Sequence, residues 1–297
     1  MGTRINNVQV TGVIDGDTIK LRIDERDETV RLVSVDTEES RPGGTKPVTK
    51  IGIETTRMAK QYFASETGTF VAIDIEFDTD ETPENCFKRH RDNYGRLLCY
   101  VHKERENYNL KLIREGWSPY FIKYGRSRIY HQEFTMAEAE AQAYNRNIWD
   151  PFANAGGPSR DYTRLVPWWS LRAHIVEGYR TRGIDGGALS VRLDYERILD
   201  AADAKERITV FCDLKDGINR WPGDGAIINA GSQYHQFNLW IPHALSDSME
   251  PLIRLIERRY AGYGRGYVYV TGTAKKYRDI PEIEVIDLSQ LNDFPKA

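Results

Sequence analysis

The sequence predicts a mainly β chain with packed helices, an α+β class arranged in two parts, and three observations carry that expectation. First, Ile19, Leu21 and Ile23 alternate with Lys20, Arg22 and Asp24, and an apolar-polar alternation recurs at residues 30–35, 70–77 and 97–102. That period belongs to half-buried strands. Second, Met58, Ala59, Tyr62 and Phe63 recur at helical spacing, as do Phe134, Ala137, Ala141 and Tyr144. Third, the glycine-rich stretch 153–159 separates two halves that each hold strands and helices.

Taken in order, residues 14–39 form the stretch around which the first half is organised. Asp15 and Asp17 flank Gly16 in a turn, a strand follows, and residues 24–28 make a charged hairpin tip. The second strand delivers Asp36, Thr37, Glu38 and Glu39 where its apolar alternation stops. Arg31 and Asp36 are an odd number of residues apart, so a regular strand would place them on opposite faces. The strand must therefore end or bend before Asp36. Carboxylates gathered beside an arginine suit a hard cation and a phosphate. Asp15 and Asp17 also fit a simple turn, and Arg31 a simple ion pair with Asp36.

Residues 40–50 hold two Pro and two Gly without apolar period and read as a loop beside this site. A helix over 53–65 follows, then strands at 70–77 and 97–102 around the basic run 88–96, whose tip at 88–91 is a candidate phosphate contact. Helices at 108–115 and around 134–144 complete the first half. In the second half, residues 167–182 read as a helix whose Trp168, Trp169, Leu171, Ile175 and Tyr179 are too many for a solvated face, and 189–204 fits either strand or helix. Strands at 208–214 and 236–241, a helix at 246–260 with Ser246 or Ser248 as its cap, and strands at 267–273 and 283–288 follow. That order is the order of an OB-type barrel. The expected organisation is a first domain at 1–152, a linker at 153–166 and a second domain at 167–297. Trp168, Trp169 and Trp240 read as core or packing residues.

Composition narrows the function classes. With 297 residues, 40% apolar and 29% charged, the chain holds no run of about 18 apolar residues that could cross a bilayer. The net charge is −3, and the halves carry 22 Lys+Arg against 25 Asp+Glu and 19 against 19. A polyanion would have to be held by a local cluster or through a cation. Three scattered cysteines read as free thiols, and residues 1–10 read as the lead-in to a strand and not as an export signal. A cytoplasmic location is the expectation, with secretion open if a signal has been removed. Six histidines without close ligand spacing argue against zinc.

Residues 14–18 (IDGDT), 30–39 (VRLVSVDTEE), 92–96 (DNYGR) and 147–149 (NIW) together resemble the staphylococcal nuclease (thermonuclease) family over residues 8 to about 150. The resemblance implies an OB-like five-stranded barrel with three helices and a calcium-dependent phosphodiesterase site. It implies Asp17 and Asp36 as carboxylate ligands of Ca2+, with Thr37 adding its carbonyl. Glu39 would be the general base, Arg31 and Arg96 would hold the phosphate, and Tyr94 and Tyr124 would contact the nucleotide. The products would be 3'-phosphate ends of DNA or RNA, single strands being favoured. The sequence departs from the family pattern at Glu38, where proline is usual, which leaves Glu38 as the reserve base. Asn93 replaces a usual lysine and Ile122 a usual tyrosine. The alternative is a non-catalytic nucleic-acid-binding or scaffold protein that keeps the fold, and the presence of Asp17, Arg31, Asp36, Glu39 and Arg96 favours the enzyme.

Overall fold

The computed structural model describes residues 1–44 and 46–295; Thr45, within the loop at 40–50, lies outside the described residues. The chain divides into two units. The first comprises Met1–Asp92, Arg96–Ile122 and Arg126–Pro167, and the second Asn93–Gly95, Lys123–Gly125 and Trp168–Ala297.

In the first unit, strands β1 (Arg4–Asp15), β2 (Thr18–Ile23), β3 (Arg26–Leu32), β4 (Ala72–Glu76) and β5 (Leu97–Lys103) close into a five-stranded barrel. Strand β1 pairs antiparallel with both β2 and β4, β4 pairs with β5, and the parallel pairing of β3 with β5 completes the ring. Register shifts between Val10 and Gly12 and between Val13 and Asp15 bend β1. Such irregularities add the curvature that closure requires. A short strand β6 (Glu106–Asn107) extends β5. The alternating residues meet inside: Ile19, Leu21, Val30, Leu32, Ile75, Leu97, Cys99 and Val101 are all buried.

Helices α1 (Lys50–Phe63), α3 (Tyr108–Arg114) and α4 (His131–Ala143) flank the barrel, and a short α2 (Pro83–Arg89) precedes the 92–96 turn. Helix α1 begins three residues before its apolar spacing suggests, because Thr49 Oγ1 accepts the Gly52 N–H at 3.0 Å as N-cap. The basic run is not a free phosphate clamp. Lys88 pairs with Glu84 at 2.8 Å, Arg89 with Glu81 at 2.9 Å, and Arg91 forks onto both oxygens of Glu28 at 2.9 Å. Its acidic partners lie partly far away in sequence, and they neutralise it.

The segment 153–166, a linker by composition, belongs to the first unit and is held by side-chain contacts described below. Helix α5 (Tyr162–Gly178) starts within it. Asp161 Oδ1 accepts the Arg164 N–H at 3.2 Å, the contact of an N-cap, so the helix begins ahead of Pro167 and carries that proline inside.

The second unit is built on a sheet of β7 (Leu189–Ser190), β8 (Arg207–Asp213), β9 (Ala226–Asn229), β10 (Asn238–Ile241), β11 (Tyr267–Tyr277), β12 (Ile280–Glu284) and β13 (Leu291–Asn292). The strand order is β7-β8-β11-β12-β10-β9, with β13 on β11. Among the described residues the two ends of that path do not pair. Helices α6 (Tyr195–Ala204) and α7 (Glu250–Leu255) pack their Ile198, Leu252 and Ile253 into the same core as Val210, Leu239, Val268 and Ile283. The 189–204 stretch thus resolves into a short strand and a helix. Met249, not Ser246 or Ser248, occupies the N-cap of α7. Trp169 is buried, while Trp168 and Trp240 are half-buried.

One buried carboxylate supports the barrel directly. Glu76 Oε2 lies 2.9 Å from His102 Nε2 and 3.0 Å from Arg4 Nη2 and accepts from Tyr130 OH at 2.6 Å, while Oε1 accepts the Gly2 N–H at 2.9 Å. Burial alone would raise its pKa, but these partners hold it down at about 2. A carboxylate depressed in the fold stabilises above its unfolded pKa, and that contribution disappears as pH falls through the folded value. Glu76→Gln is expected to lower unfolding free energy by roughly 3 kcal/mol near neutral pH, the scale of a broken buried pair. The difference from the wild type should shrink between about pH 5 and 2. Urea unfolding across that range checks this, and a pH-independent difference would contradict it.

Candidate functional site

The acidic corner is assembled by a turn, a bend and a helix start. Gly16 and Asp17 make the turn between β1 and β2, and the Leu32 N–H donates to the Asp17 carbonyl at 2.8 Å. A side chain at Gly16 could not be accommodated, since a Cβ there would stand 2.5 Å from Thr55 Cγ2 and 3.0 Å from Thr37. Strand β3 ends at Leu32, and Ser34 adopts a left-handed φ of 64°. That bend brings Asp36 to the same side as Arg31. The Ser118 hydroxyl accepts the Asp36 N–H at 2.8 Å and anchors the new course.

Arg31, only 14% exposed in its side chain, links the two carboxylates: one nitrogen pairs with Asp17, and Nη2 reaches Asp36 Oδ1 at 2.6 Å. Asp17 Oδ2 also accepts the Thr37 N–H at 2.7 Å. Asp36 has two further basic partners. Lys46 Nζ lies 2.8 Å from Oδ1, and Arg160 Nη2 lies 2.8 Å from Oδ2. Burial would raise the Asp36 pKa, but Lys46, Arg160 and Arg31 outweigh it and hold the carboxyl well below its usual range. Asp15 moves the other way. Burial, then the nearby Asp17 charge, push it up to about 7.

The two candidate bases are physically different. Glu38 is 2% exposed. Its Oε2 accepts from Thr49 Oγ1 at 2.5 Å and from Asn154 Nδ2 at 2.9 Å, and its Oε1 from Tyr162 OH at 3.2 Å. Glu39 has a side chain 35% exposed, with Lys46 Nζ at 3.4 Å. Its carbonyl packs against α1 so closely that a Cβ at Gly52 would stand 2.2 Å away. Glu38 is thus a structural acceptor, and Glu39 faces water.

Arg96 sits one residue before Leu97, which pairs with Val30 of β3. Asp92 holds it, accepting Nε at 2.7 Å and pairing with Nη2 at 2.6 Å. Tyr94 and Tyr124 are 72% and 39% exposed and fall in the second unit. Lys46 and Arg160 were not singled out by the sequence, because both stand in Gly- and Pro-containing segments without period. Both follow the acidic motif, Arg160 at 124 residues from Asp36, and no spacing links either to it.

The donors suit a hard cation in kind. Asp17, Asp36 and the Thr37 carbonyl all offer oxygen atoms. One nearby observation agrees: Thr37 Oγ1 is buried without a hydrogen-bond partner. Among the described residues no three His, Cys, Asp or Glu side chains form a ready cage. A cation would therefore rest on two carboxylates, a carbonyl and water.

Comparison with known proteins agrees with this geometry. Residues 29–151 match the family model described as staphylococcal nuclease homologue. The chain is 32% identical over 142 residues to a thermonuclease of Staphylococcus hyicus, covering 48% of this chain and 74% of the relative. It is 33% identical over 141 residues to a thermonuclease of Staphylococcus intermedius, with the same coverages. It is 30% identical over 149 residues to endonuclease YncB of Bacillus subtilis, covering 49% of this chain and 63% of that protein.

The contrast between the glutamates is directly testable. Glu38→Gln is expected to cost about 1–3 kcal/mol by disturbing a buried, fully used acceptor. Glu39→Gln should stay within about 0.5 kcal/mol of the wild type. Denaturant unfolding of both variants checks this, and equal losses would contradict the assignment.

Proposed function

The chain belongs to the staphylococcal nuclease homologue family, and on that premise we propose that it is a calcium-dependent nuclease cleaving DNA or RNA to 3'-phosphate ends. The observation that carries the proposal is the convergence of Asp17, Arg31 and Asp36 beside a water-facing Glu39.

A phosphodiester is an anion that repels a nucleophile, so hydrolysis needs its charge offset and a water activated beside it. Arg31 and Arg96 supply planar, two-pronged donors for the phosphate oxygens. Glu39 takes the proton from the attacking water, and its exposure supports it over Glu38, whose oxygens already have donors. Ca2+ held by Asp17, Asp36 and the Thr37 carbonyl would polarise a phosphoryl oxygen and offset its charge. Arg31 is now spent on the carboxylates. It turns to phosphate when their charge is met elsewhere. Tyr94 and Tyr124 offer exposed rings for bases, and single strands suit such contacts.

One observation favours a second reading, a nucleic-acid-binding or scaffold protein without turnover: both oxygens of Asp36 already have basic partners. Incubation with single-stranded DNA and RNA, with calcium or with chelator, separates the two. Calcium-dependent cleavage is expected, with Arg31→Ala and Glu39→Gln slower by on the order of a hundredfold or more. No calcium-dependent cleavage, or variants as fast as the wild type, would overturn the enzymatic reading.

A further inference from the structure

Building on that reading of a cation-assisted nuclease, we propose that Arg160 is a positioning residue of the site, fixing Asp36 so that it presents one carboxylate oxygen to the divalent cation. Arg160 lies beyond residues 29–151, the span matched by the family model. Its side chain is nonetheless only 6% exposed.

The contact has two prongs on one residue. Nη2 lies 2.8 Å from Asp36 Oδ2, and Nη1 donates to the Asp36 carbonyl at 3.3 Å. The orientation of the carboxylate and the course of the main chain are thus set together. The surrounding segment is itself gripped. The Arg160 guanidinium lies over the Tyr162 ring, 5.3 Å from its centroid, and Tyr162 OH donates to Glu38. Asn154 donates to the same glutamate and accepts the Ile51 N–H at 3.2 Å at the start of α1. Residues 154–162 therefore hold Asp36 and Glu38, the neighbours of Thr37, from one side.

Lys46 differs in each respect. Its side chain is 37% exposed, it stands in the Pro- and Gly-containing loop, and it shares Oδ1 with Arg31. Displaced by a cation, its ammonium returns to water, whereas a displaced Arg160 would be a buried charge without its carboxylate. Arg160 accordingly stays on Oδ2, and Oδ1 is open to the ion once Lys46 has left it and Arg31 has turned to phosphate. Partners that orient a metal-binding carboxylate commonly change metal affinity about 10- to 100-fold when removed.

The sign of the effect distinguishes this role from charge alone. Removing a nearby positive charge should by itself tighten binding of a dication, and loss of positioning should weaken it. Calcium titration calorimetry on the full chain compares the wild type, Arg160→Gln, Arg160→Lys and Lys46→Gln. We expect Arg160→Gln to weaken calcium binding about 10- to 100-fold, Arg160→Lys to lie between it and the wild type, and Lys46→Gln not to weaken it. Calcium binding by Arg160→Gln as tight as the wild type, or tighter, overturns the proposal. If Arg160→Gln does not fold, Arg160→Lys decides by the same criterion. A wild type that binds calcium and cleaves nothing ends the nuclease reading while the Arg160 comparison still decides the proposal. A wild type that binds no calcium ends both.

Discussion

The first unit turns on one interaction, the Asp36 carboxylate shared by Arg31, Lys46 and Arg160. A buried carboxylate is stable only while its charge is met. Here the partners come from a barrel strand, a loop and the segment after the last barrel helix. Asp36 thereby ties together parts of the chain 124 residues apart. Two of its basic partners are themselves largely buried, so the dependence is mutual. This arrangement stores positive charge beside carboxylates of the kind that bind hard cations.

The barrel makes the interaction possible through register. Thr18 pairs with Arg31, which puts the Asp17 turn beside the C-terminal end of β3, and the parallel β3–β5 pairing sets Leu97, the neighbour of Arg96, beside Val30. The left-handed Ser34 then redirects the chain so that Asp36 joins Arg31. Thr49 serves fold and site at once: its hydroxyl caps α1 and donates to Glu38. Glu38 in turn frees Glu39 to face water.

Much of this was legible in the sequence because it is local. Alternation marked the strands of the barrel, and the odd spacing of Arg31 and Asp36 required the bend that Ser34 supplies. Asp17, Arg31, Asp36 and Glu39 stood in two short runs, though the different surroundings of Glu38 and Glu39 depend on the distant donors Asn154 and Tyr162. What escaped was long-range pairing without periodicity. The basic run at 88–91 suggested phosphate contacts because its neutralising Glu28 lies 63 residues from Arg91. Arg160 followed a glycine-rich stretch and looked like linker. The Asp161 cap that starts α5 was hidden by Pro167, which marked a later beginning.

Asp36 is the electrostatic centre of the fold at this corner, and as proposed above it is also a ligand of a divalent cation. Denaturant unfolding of the wild type and of Asp36→Asn, each with calcium and with chelator, tests both parts together. Calcium at about a hundredfold excess over its Kd is expected to stabilise the wild type by about 2.7 kcal/mol. Asp36→Asn is expected to be less stable than the wild type and to gain little from calcium. An equal calcium gain in both proteins, or none in the wild type, would contradict these expectations.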